Sequence, residues 1–198
     1  MPNKVKYGLK NVYYAVITFG DNGAVTFASP VAIPGAVDMS LSKNGDTYEF
    51  YADDGVYFEI ADGDVYEGDL ELALIPDGFR TAVLNESLDG KSVMFESQGD
   101  TKVHFALLFE FTGDVNAIRH VLYNCTAYET EVSGTTKGEN VEVKTEKLHI
   151  KARALPNGKI KAKTGASTDA TTYNGWYSNV YTYTAPAQSG GGGGGGGT

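Results

Sequence analysis

Alternation of apolar and polar residues, interrupted by turn residues, recurs along most of the chain. The segments GAVDMSLS (35–42), DLELAL (69–74) and VEVKTEKLHIKARA (141–154) have the period of two that half-buried strands show. Asn-Gly pairs at 44–45 and 157–158 follow or separate such runs and predict tight hairpin turns. The pattern therefore favours a mainly β protein, either all-β or α+β.

Two segments depart from strict alternation. The segment 103–111 (VHFALLFEF) is nearly all apolar, which is expected of a strand that is covered on both faces. One short helix is predicted to begin at Pro76, which suits the first helical position. Phe79 and Val83 lie four residues apart and would both pack inward, and Asn85 can end the helix.

The ends of the chain lack this patterning. Residues 1–10 are predicted to be an extended N-terminal arm. Residues 11–185 are predicted to be one β domain whose last strand is the aromatic segment YNGWYSNVYTY at 173–183. Residues 186–198 contain a run of eight glycines from Gly190, which predicts a flexible tail.

The charge is negative overall and unevenly distributed. A formal net charge of −9 argues against tight binding to nucleic acid or to an anionic membrane. Eleven carboxylates and no Lys or Arg occur from Asn44 to Asp77. Residues 137–163 contain eight Lys or Arg against three Glu, so the two regions could be complementary between copies of the chain.

The residues that usually perform chemistry are sparse. Cys125 is the single cysteine and is predicted to be a small buried apolar residue. Because one cysteine cannot form an internal disulfide, we expect the protein to fold in a reducing cytoplasm. His104, His120 and His149 have no second ligand at metal-binding spacing, and the chain has no G-x-S-x-G motif. No apolar run approaches the ~20 residues of a membrane helix. We therefore expect no enzyme activity, no metal, no cofactor and no membrane anchor.

Several segments together resemble one protein family. They are VAIPGAV (31–37), FYADDGVYF (50–58), YEGDLELALIPDGFRTAVL (66–84) and FALLFEFTGD (105–114), with IRHVLYNCTA at 118–127. This set resembles the major tail proteins of long-tailed phages with flexible, non-contractile tails. The likeness extends in order over nearly all of the chain from Lys4 to Tyr183.

The resemblance implies a tail-tube subunit with a β-sandwich or barrel core, one short flanking helix and extended arms. Six copies would form a ring whose inner strands join into one β-barrel, and rings would stack on a tape-measure protein. The tail terminator and distal tail proteins would be further partners. The tube would be assembled in the host cytoplasm as part of the virion, and the genome would pass through its lumen without specific binding.

Two sets of contact residues are expected in such a tube. The acidic candidates for ring–ring or lumen contacts are Asp53, Asp54, Glu59, Asp62, Asp64 and Glu67. The candidates for contacts between the arms and a neighbouring subunit are Lys4, Lys6, Tyr7, Trp176, Tyr177 and Tyr181. An acidic lumen would repel DNA phosphates and keep the genome from adhering during ejection.

Two alternatives remain open at this point. The chain could be another structural protein of a tube, such as a terminator, which makes a single ring where a tube protein polymerises. It could instead be a carbohydrate-binding β-sandwich, with Trp176, Tyr177 and Tyr181 as a stacking platform for sugars.

Overall fold

The structure is a computed structural model that describes residues 3–44, 47–52, 55–61, 65–134, 136 and 143–185, with the backbone alone at 47–52 and 56–61. The strands are β1 (Lys6–Phe19), β2 (Val25–Phe27), β3 (Val31–Ala32), β4 (Ala36–Asn44), β5 (Thr47–Ala52), β6 (Gly55–Ala61), β7 (Val65–Leu72), β8 (Ser87–Leu88), β9 (Met94–Phe95), β10 (Phe105–Gly113), β11 (Ile118–Glu129), β12 (Glu146–Ala152) and β13 (Lys161–Lys163). The helices are α1 (Asp77–Phe79), which continues as a π-helical turn (Arg80–Leu84), and α2 (Ala170–Asn174). The prediction of a mainly β fold is confirmed.

Most strands belong to one antiparallel sheet. Its order is β2-β1-β10-β11-β12-β7-β4, with β3 paired to β1 and β13 paired to β11. Two small sheets, β5-β6 and β8-β9, stand apart from it. Since β4 ends the order and pairs with β7 alone in the described part of the chain, its outer edge has no strand partner there.

Strand β10 is covered on both faces, as its apolar sequence predicts. The four consecutive residues from Phe105 to Leu108 are each 0% exposed. Phe105 and Leu107 face a first core that includes Phe79 and the β7 residue Leu70. Ala106 and Leu108 face a second core that is closed by Trp176. Two cores on the two faces of one strand therefore organise the domain.

The predicted helix forms at the expected place. Phe79 is 1% exposed and Val83 is 0% exposed, so both pack inward as their spacing predicts. Asn85 has a left-handed conformation with φ of 65° and ends the π-helical turn. Arg80 connects this turn to the sheet, because its guanidinium lies 2.8 Å from a Glu129 carboxylate oxygen and 3.5 Å from one of Glu146.

Strand β11 changes its partner along its length. Residues 125–129 pair with β12, whereas residues 120–122 pair with β13. Both partners run antiparallel to β11, so they point in the same direction and cannot form a hairpin with each other. A turn does form at Asn157-Gly158, where Gly158 N donates to Leu155 O. The prediction that the strands before and after this turn form a hairpin is wrong, because β13 pairs with β11 and not with β12.

The structure differs from the predicted boundaries at both ends of the domain. Strand β1 begins at Lys6, which pairs with Gly113, so the second half of the predicted arm belongs to the sheet. The predicted aromatic strand at 173–183 is wrong: α2 ends at Asn174, and residues 175–185 are neither helix nor strand. Trp176 instead packs against Val121 and Tyr123 of β11 and donates from Nε1 to His120 O, and Tyr181 O accepts from the Tyr123 hydroxyl, so the segment is held without strand pairing. Helix α2 itself was not predicted.

One long hairpin extends from the sheet. Strands β4 and β7 pair from Ala36 opposite Leu72 to Asn44 opposite Val65. Strands β5 and β6 then pair with each other, from Thr47 opposite Ala61 to Ala52 opposite Gly55. We call residues 47–61 the acidic ribbon. It pairs with no other strand among the described residues.

Candidate assembly surfaces

The acidic ribbon contains or borders most of the predicted acidic contact residues. Asp53, Asp54, Asp62 and Asp64 lie outside the described residues, and of Glu59 only the backbone is described. That backbone places Glu59 directly opposite Glu49. Like charges in opposite positions destabilise a strand pair, and an isolated two-stranded hairpin is marginally stable in water. The ribbon would therefore be stabilised by a partner that carries positive charge or pairs with its edges.

Glu67, the remaining acidic candidate, lies in a strand pair of complementary charge. The opposed residues of β7 and β12 are Glu67 with Lys151, Asp69 with His149, and Glu71 with Lys147. His149 Nδ1 lies 2.8 Å from Asp69 Oδ1, its Nε2 lies 3.0 Å from Glu67 Oε1, and Lys151 Nζ lies 3.5 Å from Glu67 Oε2. Acidic and basic stretches of the sequence thus meet within one chain on this face.

The two carboxylates favour the charged form of His149. With an acceptor at each ring nitrogen, the imidazolium can donate from both. The hydrogen bond to Glu67 is the main cause that raises the pKa of His149, and the same bond lowers the pKa of Glu67. The sequence spacing argues only that His149 is not a metal ligand and does not predict this pairing. The signal for its actual role was its place in an alternating basic strand.

Replacing His149 by Gln is expected to give a pH-dependent loss of stability. A raised folded pKa contributes stability that is complete below the unfolded value near 6.5 and is lost as the pH rises through the folded pKa. The lowered pKa of Glu67 contributes stability that is complete above its ordinary value of 4.5 and is lost as the pH falls through the folded value. At pH 5.5 the variant should lose about 0.5–1 kcal/mol in urea unfolding, and less at pH 9. A difference that does not change with pH would contradict this interpretation.

The start of the chain is held by the turn between β10 and β11. Asn3 Oδ1 accepts from the backbone N–H groups of Val115 and Asn116, each at 3.0 Å, and Lys4 N donates to Asp114 Oδ1 at 2.9 Å. Gly113 makes this approach possible, because a Cβ there would lie 2.1 Å from Asn3 Nδ2. The first described residues of the arm are thus ordered on their own chain.

The side chains of the arm candidates remain on the surface. Lys4, Lys6 and Tyr7 are all exposed, Tyr7 to 60%. Lys4 uses only its backbone in the contact with Asp114, and Lys6 Nζ lies 4.7 Å from the centroid of the Phe111 ring. Their role as contacts with a neighbouring subunit stays a prediction.

The aromatic candidates near the C-terminus pack against their own chain. Trp176 is 3% exposed, donates from Nε1 to His120 O at 3.3 Å and stacks on Tyr181 at 5.6 Å between ring centroids. Tyr177 stacks on Tyr13 at 4.8 Å. Tyr181 is 39% exposed, and its carbonyl accepts from the Tyr123 hydroxyl. Trp176 offers no free ring face, which disfavours the carbohydrate-binding platform.

An ion pair between the buried Glu110 and the partly buried Arg119 holds this segment on the sheet. Glu110 is 6% exposed and accepts hydrogen bonds from Arg119 Nε, the Tyr177 hydroxyl and Asn11 Nδ2 at 2.7–3.1 Å. Arg119 also donates to the Tyr173 carbonyl and lies 3.9 Å above the Tyr173 ring. Burial first, and then the charge of Glu110, raises the pKa of Tyr177. This cluster is absent from the sequence-based predictions, although Glu110 and Arg119, each inside an apolar run, were a signal for it.

Replacing Arg119 by Ala should leave Glu110 buried without a counter-charge. The expected loss in the free energy of unfolding is about 3 kcal/mol, measured by urea denaturation. The matched control is Tyr177→Phe, which removes one hydrogen bond to Glu110 and should cost about 1 kcal/mol. Trp176 is the single tryptophan, so its acrylamide quenching should increase in Arg119→Ala as the segment loosens. Equal, small losses in both variants would show that the ion pair does not hold the segment.

The described part of the chain contains no group of three or more His, Cys, Asp or Glu arranged to hold a metal ion. Cys125 is 0% exposed, as predicted, and burial raises the pKa of its thiol, which disfavours the reactive thiolate. None of the helices that the structure describes has the length and apolar character needed to cross a membrane.

Comparison with known proteins adds a weak structural likeness. No family model matches the chain, and no curated protein matches it. Among solved structures, the tube-terminating cap of the anti-feeding prophage aligns with 82% of this chain and 94% of its own chain. The identity is 15% and the TM-score is 0.41, values at which the likeness does not assign a function.

Proposed function

We propose that this chain is a structural subunit of a phage tail tube. Copies assemble into hexameric rings, and the rings stack into a hollow tube that conducts the genome into the host. The observation that carries the proposal is the long hairpin of β4 to β7, whose outer edge and acidic ribbon lack strand partners among the described residues. The sequence resemblance described above supports the same role.

Unpaired edges favour assembly for a physical reason. Backbone N–H and C=O groups along an open strand edge form hydrogen bonds readily with another strand, and monomeric proteins usually protect such edges. A closed ring of identical subunits satisfies the edges without continuing growth in the plane of the ring. Stacking then extends the assembly along one axis only.

The charge of the ribbon suggests where the stacked rings meet. On β7 the carboxylates of Glu67 and Asp69 already have basic partners on β12. The ribbon, by contrast, contains no Lys or Arg in its sequence. We propose that its carboxylates, with the neighbouring Asp62 and Asp64, face basic residues of the adjoining ring or line an acidic lumen. A tape-measure protein, a tail terminator and distal tail proteins would complete the tail, which is assembled in the host cytoplasm and carried in the virion.

Electron microscopy of the purified chain tests the proposal. We expect hollow filaments with six-fold symmetry at high protein concentration. The double variant Asp53→Lys/Asp54→Lys should fail to form filaments, whereas the control Glu131→Lys, at an exposed loop position, should form them normally.

Other outcomes have distinct meanings. Single rings that never stack would indicate a terminator in place of a tube subunit. A chain that stays monomeric at every concentration and salt level would contradict the proposal. Normal filaments from the Asp53→Lys/Asp54→Lys variant would leave the tube in place but remove the ribbon from the ring contact.

A further inference from the structure

A cleft opens between the long hairpin and the β10–β11 pair. It has a volume of about 310 Å³, close to the lower end of the ~300–1,000 Å³ typical of ligand pockets. Its floor is apolar and includes Leu41, Phe109 and Leu122, and its rim carries Lys6 and Lys161. We call it the lysine-rimmed cleft.

The cleft lies where β11 exchanges β12 for β13. Strand β12 pairs with both β11 and β7. It therefore joins the long hairpin to β11 beside residues 125–129. Beside residues 120–122 of β11 the partner is β13, which has no pairing with β7. Beside residues 120–122 no described strand therefore joins the hairpin to β11. Side chains of the hairpin and of the β10–β11 pair line the space between them.

The rim carries positive charge that no carboxylate of the described residues neutralises. Lys6 Nζ lies 4.7 Å from the Phe111 ring centroid, and Lys161 Nζ lies 4.3 Å from that of Tyr66. Such contacts with aromatic faces are worth about 0.5–1 kcal/mol at exposed sites and leave the ammonium charge intact. Neither lysine has a carboxylate partner among the residues that the structure describes.

His120 provides a polar atom beside this rim. Its ring stacks on Phe109 with 5.1 Å between centroids, and its Nε2 is buried without a hydrogen-bond partner in the described part of the chain. Burial, followed by the charges of Lys6, Lys163 and Lys161, lowers the pKa of His120 to about 4. The imidazole is neutral at pH 7, so the positive charge of the rim belongs to the lysines.

The acidic ribbon has the complementary chemistry. Its sequence, TYEFYADDGVYFEIA, contains five aromatic residues and four carboxylates without a cation. An aromatic ring would fill the apolar floor, and the carboxylates on either side of it would reach the rim. The other acidic strand of the hairpin, β7, has its counter-charges on β12 of its own chain.

We propose that the lysine-rimmed cleft binds an aromatic side chain of the acidic ribbon of a second copy, with the adjacent carboxylates paired to Lys6 and Lys161. This proposal rests on the proposed function, because it names the contact through which copies assemble. The ribbon continues the same hairpin whose β4 and β7 strands line the cleft. The described residues that line the cleft include none from 47–61, so the partner that we propose is another copy.

A peptide-binding experiment tests this contact separately from tube formation. A fluorescein-labelled peptide of residues 47–61 is titrated with the full-length chain, kept dilute enough to be monomeric, and followed by fluorescence anisotropy. We expect saturable binding that weakens as salt is added. Lys161→Glu should weaken binding at least about ten-fold, and Lys161→Met should give an intermediate loss because it keeps the apolar stem.

The matched control is Lys91→Glu, which makes the same charge change at an exposed position outside the cleft and should bind as the unchanged chain does. Circular dichroism verifies that each variant is folded. Peptides with Asn and Gln in place of the acids, or with Ser in place of the aromatic residues, should bind less tightly. Equal affinity for Lys161→Glu and Lys91→Glu would overturn the proposal.

The remaining outcomes separate the two proposals. Tubes without any peptide binding would overturn the cleft contact and leave the tail-tube function standing. Peptide binding that depends on Lys161, in a chain that never forms tubes, would support the contact and contradict the tube. A small aromatic acid such as 3-phenylpropionate is a competitor for the same cleft. If it displaced the peptide at a concentration below the Kd of the peptide, the cleft would be a small-molecule site and the proposal would be overturned.

Discussion

Burial of β10 on both faces is the constraint on which the rest of the domain depends. Phe105 and Leu107 need one apolar layer, and Ala106 and Leu108 need another. The first is supplied by α1 and the β7–β12 pair. The second is closed by the irregular segment around Trp176, which the Glu110–Arg119 ion pair holds in place. The C-terminal segment is therefore part of the core of its own chain.

The second organising feature is the distribution of charge along the long hairpin. Within the sheet, acidic β7 pairs with basic β12, and their charges are matched within the chain. Farther along, the ribbon has only carboxylates in its sequence and no strand beside it in the described part of the chain. The rim lysines of the cleft show the opposite imbalance. A surplus of negative charge on the ribbon and of positive charge on the cleft rim of the same chain allows complementary contacts between copies.

Local patterns in the sequence predicted much of the fold. The apolar run at 103–111, the alternation at 69–74 and the spacing of Phe79 and Val83 each appear in the structure as expected, although Leu74 lies beyond the end of β7 and is 66% exposed. The partner exchange of β11 was not predictable, because pairing between distant strands has no local signature. Glu110 and Arg119 each lie inside an apolar run, which is a signal for their pairing, but their contacts with Tyr177 and Tyr173 join residues more than fifty positions apart and have no local signature.

The central claim is that open strand edges on the ribbon find partners on identical copies. Hydrogen–deuterium exchange of the backbone amides at 47–52 and 55–61 measures this directly, in dilute monomer and after assembly. The account predicts fast exchange of the outward-facing amides in the monomer and strong protection in the assembled state, with little change in β10. Equal exchange in both states, or full protection already in the monomer, would contradict it.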